Sequence, residues 1–265
     1  MNMHVGEVEL CLEGHAEQVN SLAITSKGDM LASGSQDGTI TLWDAYSGEL
    51  KGKLQGHDGP VFSVDFNPFE PKRLVSGSGD GLVKVWNTQD MVERHSFSGH
   101  KDYVLCVKYS PDGHYVASGG GDVSIKFWST AALRCVADIT GHDGKGKCKC
   151  TPSVKVGQVD LRCTHEGHSN AISCLAFNPN SSVIASGSWD TTVRLWSIRI
   201  GPDGVFLDPA GKICPFEHAV LREHENWVKT LCFTRMGDVL ATAGNDASIK
   251  MWDVKTGALI RNKVF

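Results

Sequence analysis

Residues 31–44 read LASGSQDGTITLWD, and four later stretches repeat the phrase: LVSGSGDGLVKVWN (74–87), VASGGGDVSIKFWS (116–129), IASGSWDTTVRLWS (184–197) and LATAGNDASIKMWD (240–253). Each copy holds an aspartate (Asp37, Asp80, Asp122, Asp190, Asp246) with a tryptophan six residues later (Trp43, Trp86, Trp128, Trp196, Trp252). Four residues before the aspartate stands a hydroxyl: Ser33, Ser76, Ser118, Ser186 or Thr242. A histidine precedes each aspartate by 22 or 23 residues: His15, His57, His100, His168 and His224, the first four following a glycine. An internal repeat of this length points to a solenoid, a propeller or an array, and it takes precedence over any reading of single segments.

Within each copy, short alternating runs are bounded by glycine-containing turns, which is strand rather than helix periodicity. In the first copy VNSLAIT, MLASGS, TITLWDA and ELKGKLQG follow one another, punctuated by SKGD, QDG and YSG. Four antiparallel strands in about 40 residues make one propeller blade. In these motifs the chain resembles the WD-repeat β-propeller family over residues 7–141 and 158–265. The resemblance implies a single all-β domain of four-stranded antiparallel blades. Five complete repeats fall at about 7–47, 48–90, 91–132, 158–200 and 213–265, with a degenerate or truncated blade at 133–157 and an insertion at 197–225. It also implies that the Trp, Ser/Thr, His and Asp of each blade form a hydrogen-bonded chain. Such a chain satisfies a buried indole N–H and an imidazole and fixes the register of neighbouring strands. The same residue types make a catalytic triad. An active site is needed once, whereas a bracing device is needed in every blade, so these twenty residues are read as structural.

The regularity fails in two places. The Gly-His anchors are spaced by 42, 43 and 42 residues, then by 26 between His142 and His168, then by 56. The short interval has neither Trp nor the repeated phrase, and the insertion at 197–225 lengthens the next link. At the chain ends, VGEVELCLEG and GALIRNKVF both read as the outer strand of the last blade. Two claimants for one position suggest an incomplete, truncated or alternatively spliced version of a longer propeller. An open ring exposes a β edge and apolar faces, so the chain alone is expected to be poorly stable. Cys148, Cys150, Cys163, His165 and His168 lie within 21 residues and raise a zinc site. Zinc sites favour two to four residues between paired cysteines, however, and the one-residue gap here argues against it. No metal and no cofactor are therefore expected.

Composition bounds the function classes. The formal net charge of −4 gives no basic footprint for nucleic acid, so direct binding of DNA or RNA is not expected. No apolar run approaches the roughly 18 residues of a membrane helix, and the start lacks the pattern of a secretory signal. A soluble chain in the cytoplasm or nucleus, or both, is the expectation. The nine cysteines are odd in number and irregular in spacing, and reduced thiols fit that compartment. Cys106 and Cys174 stand where other repeats have Ser21, Ser63 and Thr230, as small residues.

If the repeated quartet is bracing, recognition belongs to what is not repeated. The Gly-His loop and the Asp turn open on one face, around the mouth of the channel. The resemblance implies three contact positions per blade there: three and five residues after His, and one before Asp. In this sequence they are Gln18, Asn20 and Gln36; Pro60, Phe62 and Gly79; Tyr103, Leu105 and Gly121; Ala171, Ser173 and Trp189; and Trp227, Lys229 and Asn245. Trp189 and Trp227 are the two tryptophans outside the quartets, and both land on these positions. With Phe62, Tyr103, Leu105 and Lys229 they form the candidate partner-binding set, because exposed aromatics are frequent interface hot spots. The reading is a non-enzymatic scaffold that binds other proteins within a complex. A propeller enzyme would need an unrepeated acid/base pair or nucleophile, which the sequence lacks. A phosphate or nucleic-acid binder would need convergent cations, and Lys229 is the single one on the expected face.

Overall fold

The computed structural model describes residues 10–140, 162–163, 167–198 and 216–265, which form strands and turns with no helix among them. None of the described residues therefore forms a helix long and apolar enough to cross a membrane. The first sheet is β1 (Val19–Ile24), β2 (Met30–Ser35), β3 (Ile40–Asp44) and β4 (Leu50–Leu54). The second is β5 (Val61–Phe66), β6 (Arg73–Ser78), β7 (Val83–Asn87) and β8 (Val92–Phe97). The third is β9 (Val104–Tyr109), β10 (Tyr115–Gly120), β11 (Ser124–Ser129) and β12 (Arg134–Thr140), with β13 (Arg162–Cys163) added outside β12. The fourth is β14 (Ile172–Phe177), β15 (Val183–Ser188), β16 (Val193–Ser197) and β17 (Phe216–Leu221). The fifth is β18 (Val228–Phe233), β19 (Val239–Gly244), β20 (Ser248–Asp253) and β21 (Leu259–Val264). Each quartet is an antiparallel meander in chain order, and the first strands of successive sheets touch along the series β1, β5, β9, β14, β18. These are five propeller blades.

Each blade has an inner-strand phrase whose alternation sends apolar residues to both faces of the sheet, where neighbouring blades cover them. The buried core accordingly divides into four clusters, one per blade junction. Between the first and second blades, Ala32, Ile40, Leu42 and Leu54 meet Val61, Val64 and Phe66. Val83, Val85 and Phe97 meet Val104, Val107 and Tyr109 at the next junction. Ile125, Phe127 and Ile139 then meet Ile172 and Leu175, and Val193, Leu195 and Leu221 meet Val228 and Leu231. At the two ends of the series the outward faces are open: β21 is exposed throughout, and Val19, Leu22 and Ile24 of β1 reach solvent.

Residues 134–140, which open the degenerate segment 133–157, form the outer strand of the third blade, and β13 runs parallel to that strand. Within the span of the 197–225 insertion, where the fifth repeat (213–265) already begins, Phe216–Leu221 pairs with β16 as the fourth strand of the fourth blade. Of the two claimants for the last blade, the C-terminal segment takes the position as β21. The described part of the N-terminal claimant, residues 10–14, is not a strand. It lies instead against the first blade, with Leu10 and Leu12 at Gly48 and Gly14 at the Trp43 ring.

The turn after β2 and its counterparts share one backbone feature. The residue after the quartet aspartate is left-handed in all five blades: Gly38 (φ 79°), Gly81 (φ 80°), Val123 (φ 61°), Thr191 (φ 71°) and Ala247 (φ 55°). Glycine adopts this conformation freely, whereas a β-branched side chain there is strained.

Candidate functional site

The quartets form one hydrogen-bonded chain per blade. In the first, the Trp43 indole N–H donates to Ser33 Oγ at 2.8 Å, Ser33 Oγ lies 2.8 Å from His15 Nε2, and His15 Nδ1 lies 3.1 Å from Asp37 Oδ2. The second links Trp86, Ser76, His57 and Asp80 at 2.8, 2.7 and 2.7 Å. The third links Trp128, Ser118, His100 and Asp122 at 2.7, 2.7 and 3.0 Å. The fourth links Trp196, Ser186, His168 and Asp190 at 2.9, 2.7 and 2.9 Å. The fifth links Trp252, Thr242, His224 and Asp246 at 2.9, 2.8 and 2.7 Å.

The chemistry of the groups sets the direction of the chain. Burial holds the His57 and His168 imidazoles below their ordinary pKa, against the opposing pull of Asp80 and Asp190. A carboxylate can only accept, so in these neutral rings Nδ1 donates to Asp and Nε2 accepts from the serine O–H. The serine oxygen in turn accepts from the indole. Burial would raise the Asp122 and Asp190 carboxyls, but hydrogen bonds from their histidines and from nearby donors outweigh it and hold both well below 3.8. In Asp246 the same balance, with Ser248 and His224 donating, leaves the carboxyl at about 2. The second function of each aspartate is to hold the Gly-His loop: the backbone N–H after the histidine donates to Oδ2 at Ala16, Asp58, Lys101, Ser169 and Glu225. The five hydroxyls are buried and already accept from an indole, so none is presented to a substrate as a nucleophile.

The same loops set the mouth. In every blade the residue before the aspartate donates its N–H to the carbonyl of the residue three after the histidine: Gln36 to Gln18, Gly79 to Pro60, Gly121 to Tyr103, Trp189 to Ala171 and Asn245 to Trp227. This clip holds the two positions side by side in every blade, with a side chain at both in the first, fourth and fifth blades and a glycine at one of them in the second and third. The Trp189 and Trp227 rings are stacked, 4.6 Å between centroids and 14° between planes. Tyr103 lies 6.5 Å from Trp189, and Phe62 lies 6.4 Å from Tyr103. Lys229 Nζ sits 5.2 Å from the Trp227 centroid and 5.9 Å from that of Trp189, within cation–π range of both. An aromatic arc thus crosses four blades. Trp227 remains 40% exposed, and Phe62, Tyr103, Leu105 and Trp189 are half-buried.

Other expected contact positions serve the framework instead. Asn20 and Ser173 donate across blade junctions to the carbonyls of Val61 and Val228, and Ala171 is buried. Conversely, the exposed acids Asp58, Asp102 and Glu225 lie in the loops that follow His57, His100 and His224, and sequence reasoning passed over them. Their signal was available in the one or two positions directly after each histidine. Cys148, Cys150 and His165 lie outside the described residues, as does the Cys163 side chain. Both ring nitrogens of His168 are engaged in its quartet, leaving neither for a metal.

A family model described as "WD domain, G-beta repeat" matches residues 6–44, 48–87, 91–129, 160–197 and 217–253. Among curated proteins, the chain is similar to "Nuclear distribution protein nudF 1" of Talaromyces marneffei, 28% identical over 287 residues, covering 92% of this chain and 59% of that protein. "Nuclear distribution protein nudF" of Aspergillus niger is 28% identical over 260 residues, covering 96% and 53%. "Nuclear distribution protein PAC1-1" of Uncinocarpus reesii is 33% identical over 263 residues, covering 97% and 54%. The chain therefore spans between 53% and 59% of the length of these relatives.

Proposed function

The chain belongs to the WD-repeat family, and from that premise we propose that it is a non-enzymatic scaffold that docks a peptide or loop of a partner protein across the channel mouth. The observation that carries this reading is the arc of Phe62, Tyr103, Trp189 and Trp227, with Lys229 over the last two rings. Large, partly exposed aromatics held rigidly by a braced frame lose little entropy on binding and supply most of the energy of small interfaces. Asp58, Asp102 and Glu225 on the same loops would repel a phosphate backbone, which favours a protein over a nucleic acid. The relatives carry the name nuclear distribution protein, so the first place to seek partners is an assembly that serves that process. A cytoplasmic or nuclear compartment fits both those names and the free thiols of Cys106 and Cys174.

The test is to replace Trp189 and Trp227 by alanine and compare the proteins captured by the variant and by the parent. Both rings lie outside the quartets, so the urea midpoint and its slope should show the frame intact. The expected result is loss of specific partners, with the affinity of an identified one falling about 30-fold or more, as for truncating a hot spot of 2 kcal/mol or more. An unchanged partner set in the folded variant would overturn the reading.

A further inference from the structure

We infer that the second and third blades carry a further docking site, on the face opposite the mouth, which takes an acidic segment of a partner protein bearing an apolar side chain. In every blade the turns from first to second strand and from third to fourth lie at the end of the strands away from the Gly-His loop and the Asp turn. At that end a groove of about 480 Å³ is lined by residues of the second and third blades. They come from the β5–β6 turn and the start of β6, from β7 and β8, and from the β11–β12 turn, and none of them belongs to the aromatic arc.

The charge of the groove is opposite to that of the chain. Lys72, Arg73 and Arg94 line it with Glu70 as the one acid, whereas the whole chain has a formal net charge of −4. Two of the cations are already oriented: Arg73 Nε lies 2.8 Å from Glu70 Oε2, and Arg94 Nη2 donates to Asp90 Oδ2 at 2.6 Å. Each pair engages one of the five N–H groups of a guanidinium, so the others are left for a second carboxylate. Lys72 is exposed and pairs with no acid among the described residues. Glu70 and Lys72 stand on a turn of six residues (67–72), where the corresponding turns of the other four blades have five. The backbone fixes the walls: Thr88 N–H donates to the Lys72 carbonyl at 2.8 Å, and Thr130 N–H to that of His114 at 3.1 Å. A preset groove loses little entropy when it is filled.

Leu133 supplies the apolar contact. In the turn from third to fourth strand, the first and fifth blades place glycine at the left-handed position, Gly48 (φ 72°) and Gly257 (φ 70°). The second and third place Met91 (φ 55°) and Leu133 (φ 52°) there. This conformation is disfavoured for any residue with a Cβ. Met91 uses it to cover the first blade, its Cε standing 2.9 Å from where a Cβ on Gly52 would be. Leu133 instead is 50% exposed, on the lining of the groove. The fold thus holds a strained leucine that it does not bury, beside three cations. A bare anion makes no use of that leucine, whereas a peptide with acidic and apolar side chains in alternation satisfies both.

Selection from a displayed library of random dodecapeptides on the full chain tests this. Binders are sorted on two variants, Lys72→Glu with Arg94→Glu and Trp189→Ala with Trp227→Ala. One fraction is expected to be lost on the first variant and kept on the second, and to be enriched in Asp and Glu alternating with Leu, Ile or Phe. For a synthetic peptide from that fraction, the affinity read by fluorescence anisotropy should fall about tenfold or more on the charge reversal. In Leu133→Gly it should also fall about tenfold, while the urea midpoint holds or rises because the strain leaves with the side chain. A purely structural role for Leu133 would leave the affinity unchanged. Absence of such a fraction, a fraction that is basic or uncharged, or a Leu133→Gly affinity equal to the parent's would each overturn the inference.

Discussion

Replacing Ser118 with alanine removes one oxygen and strands two buried polar groups. Trp128 Nε1–H loses its acceptor at 2.7 Å and His100 Nε2 loses its partner at 2.7 Å. Ser118 is fully buried and Trp128 is 1% exposed, so bulk water does not replace the hydroxyl. The vacated space, one oxygen atom in size, is too small for an ordered water. Each stranded group costs about 1–3 kcal/mol, so the substitution should destabilise the protein by about 3 kcal/mol. Urea unfolding followed by near-ultraviolet circular dichroism should show the midpoint falling by about 1 M or more at unchanged slope. Ser169→Ala, at an exposed loop position outside the quartets, is the control and should move stability by less than about 0.5 kcal/mol. Combining Ser118→Ala with Asp122→Asn should cost less than the sum of the two, because both act on one chain of bonds. If Ser118→Ala matched the Ser169 control, or if the pair added simply, the quartet would not be a bracing unit.

Two further outcomes follow from the same frame. Val123→Gly and Thr191→Gly should each raise the melting temperature, by about 0.5–1 kcal/mol of stability, because relief of the left-handed strain exceeds the added chain entropy of glycine. A fall in melting temperature for both would contradict the strain. Stability should also decline in two stages as the pH is lowered. His57 and His168 stay neutral in the fold but take up a proton near 6.5 when unfolded, so their contribution is complete above that value and lost as the pH drops through it. The quartet carboxyls are depressed, so theirs is present above 3.8 and is lost as the pH falls further, toward about 2 for Asp246. Urea midpoints measured between pH 8 and pH 3 check this, and a midpoint independent of pH between 7 and 5 would refute the histidine stage.

The blades were legible because their residues are constrained many times over. The Asp-to-Trp spacing of six, the hydroxyl and the alternation around them must all agree for one strand meander to form, and five copies make the agreement visible. The positions of Trp189 and Trp227 could be read from the same lattice, counting from His224 and Asp190. Their stacking could not, because a ring-to-ring distance depends on how far apart two blades sit and on the clip between Trp189 and Ala171. The outer strands were less legible because they have no fixed motif: RCVADIT shares little with LKGKL or VERHSF beyond its place. That an open ring would expose apolar faces was expected from the sequence, but which residues would reach solvent was not, since the pattern of Leu22 and Ile24 is the same as that of Val64 and Phe66. What differs is the neighbour, and a neighbour across a blade junction leaves no mark in the local sequence.

The aromatic arc is anchored by the packing of the fifth blade behind it. In β18 the side chains of Val228 and Leu231 are buried against the fourth blade, fixing the strand whose first turn carries Trp227 and Lys229. A mouth set by five hydrogen-bonded quartets keeps its spacing, so a partner docking on the arc loses little free energy to ordering it.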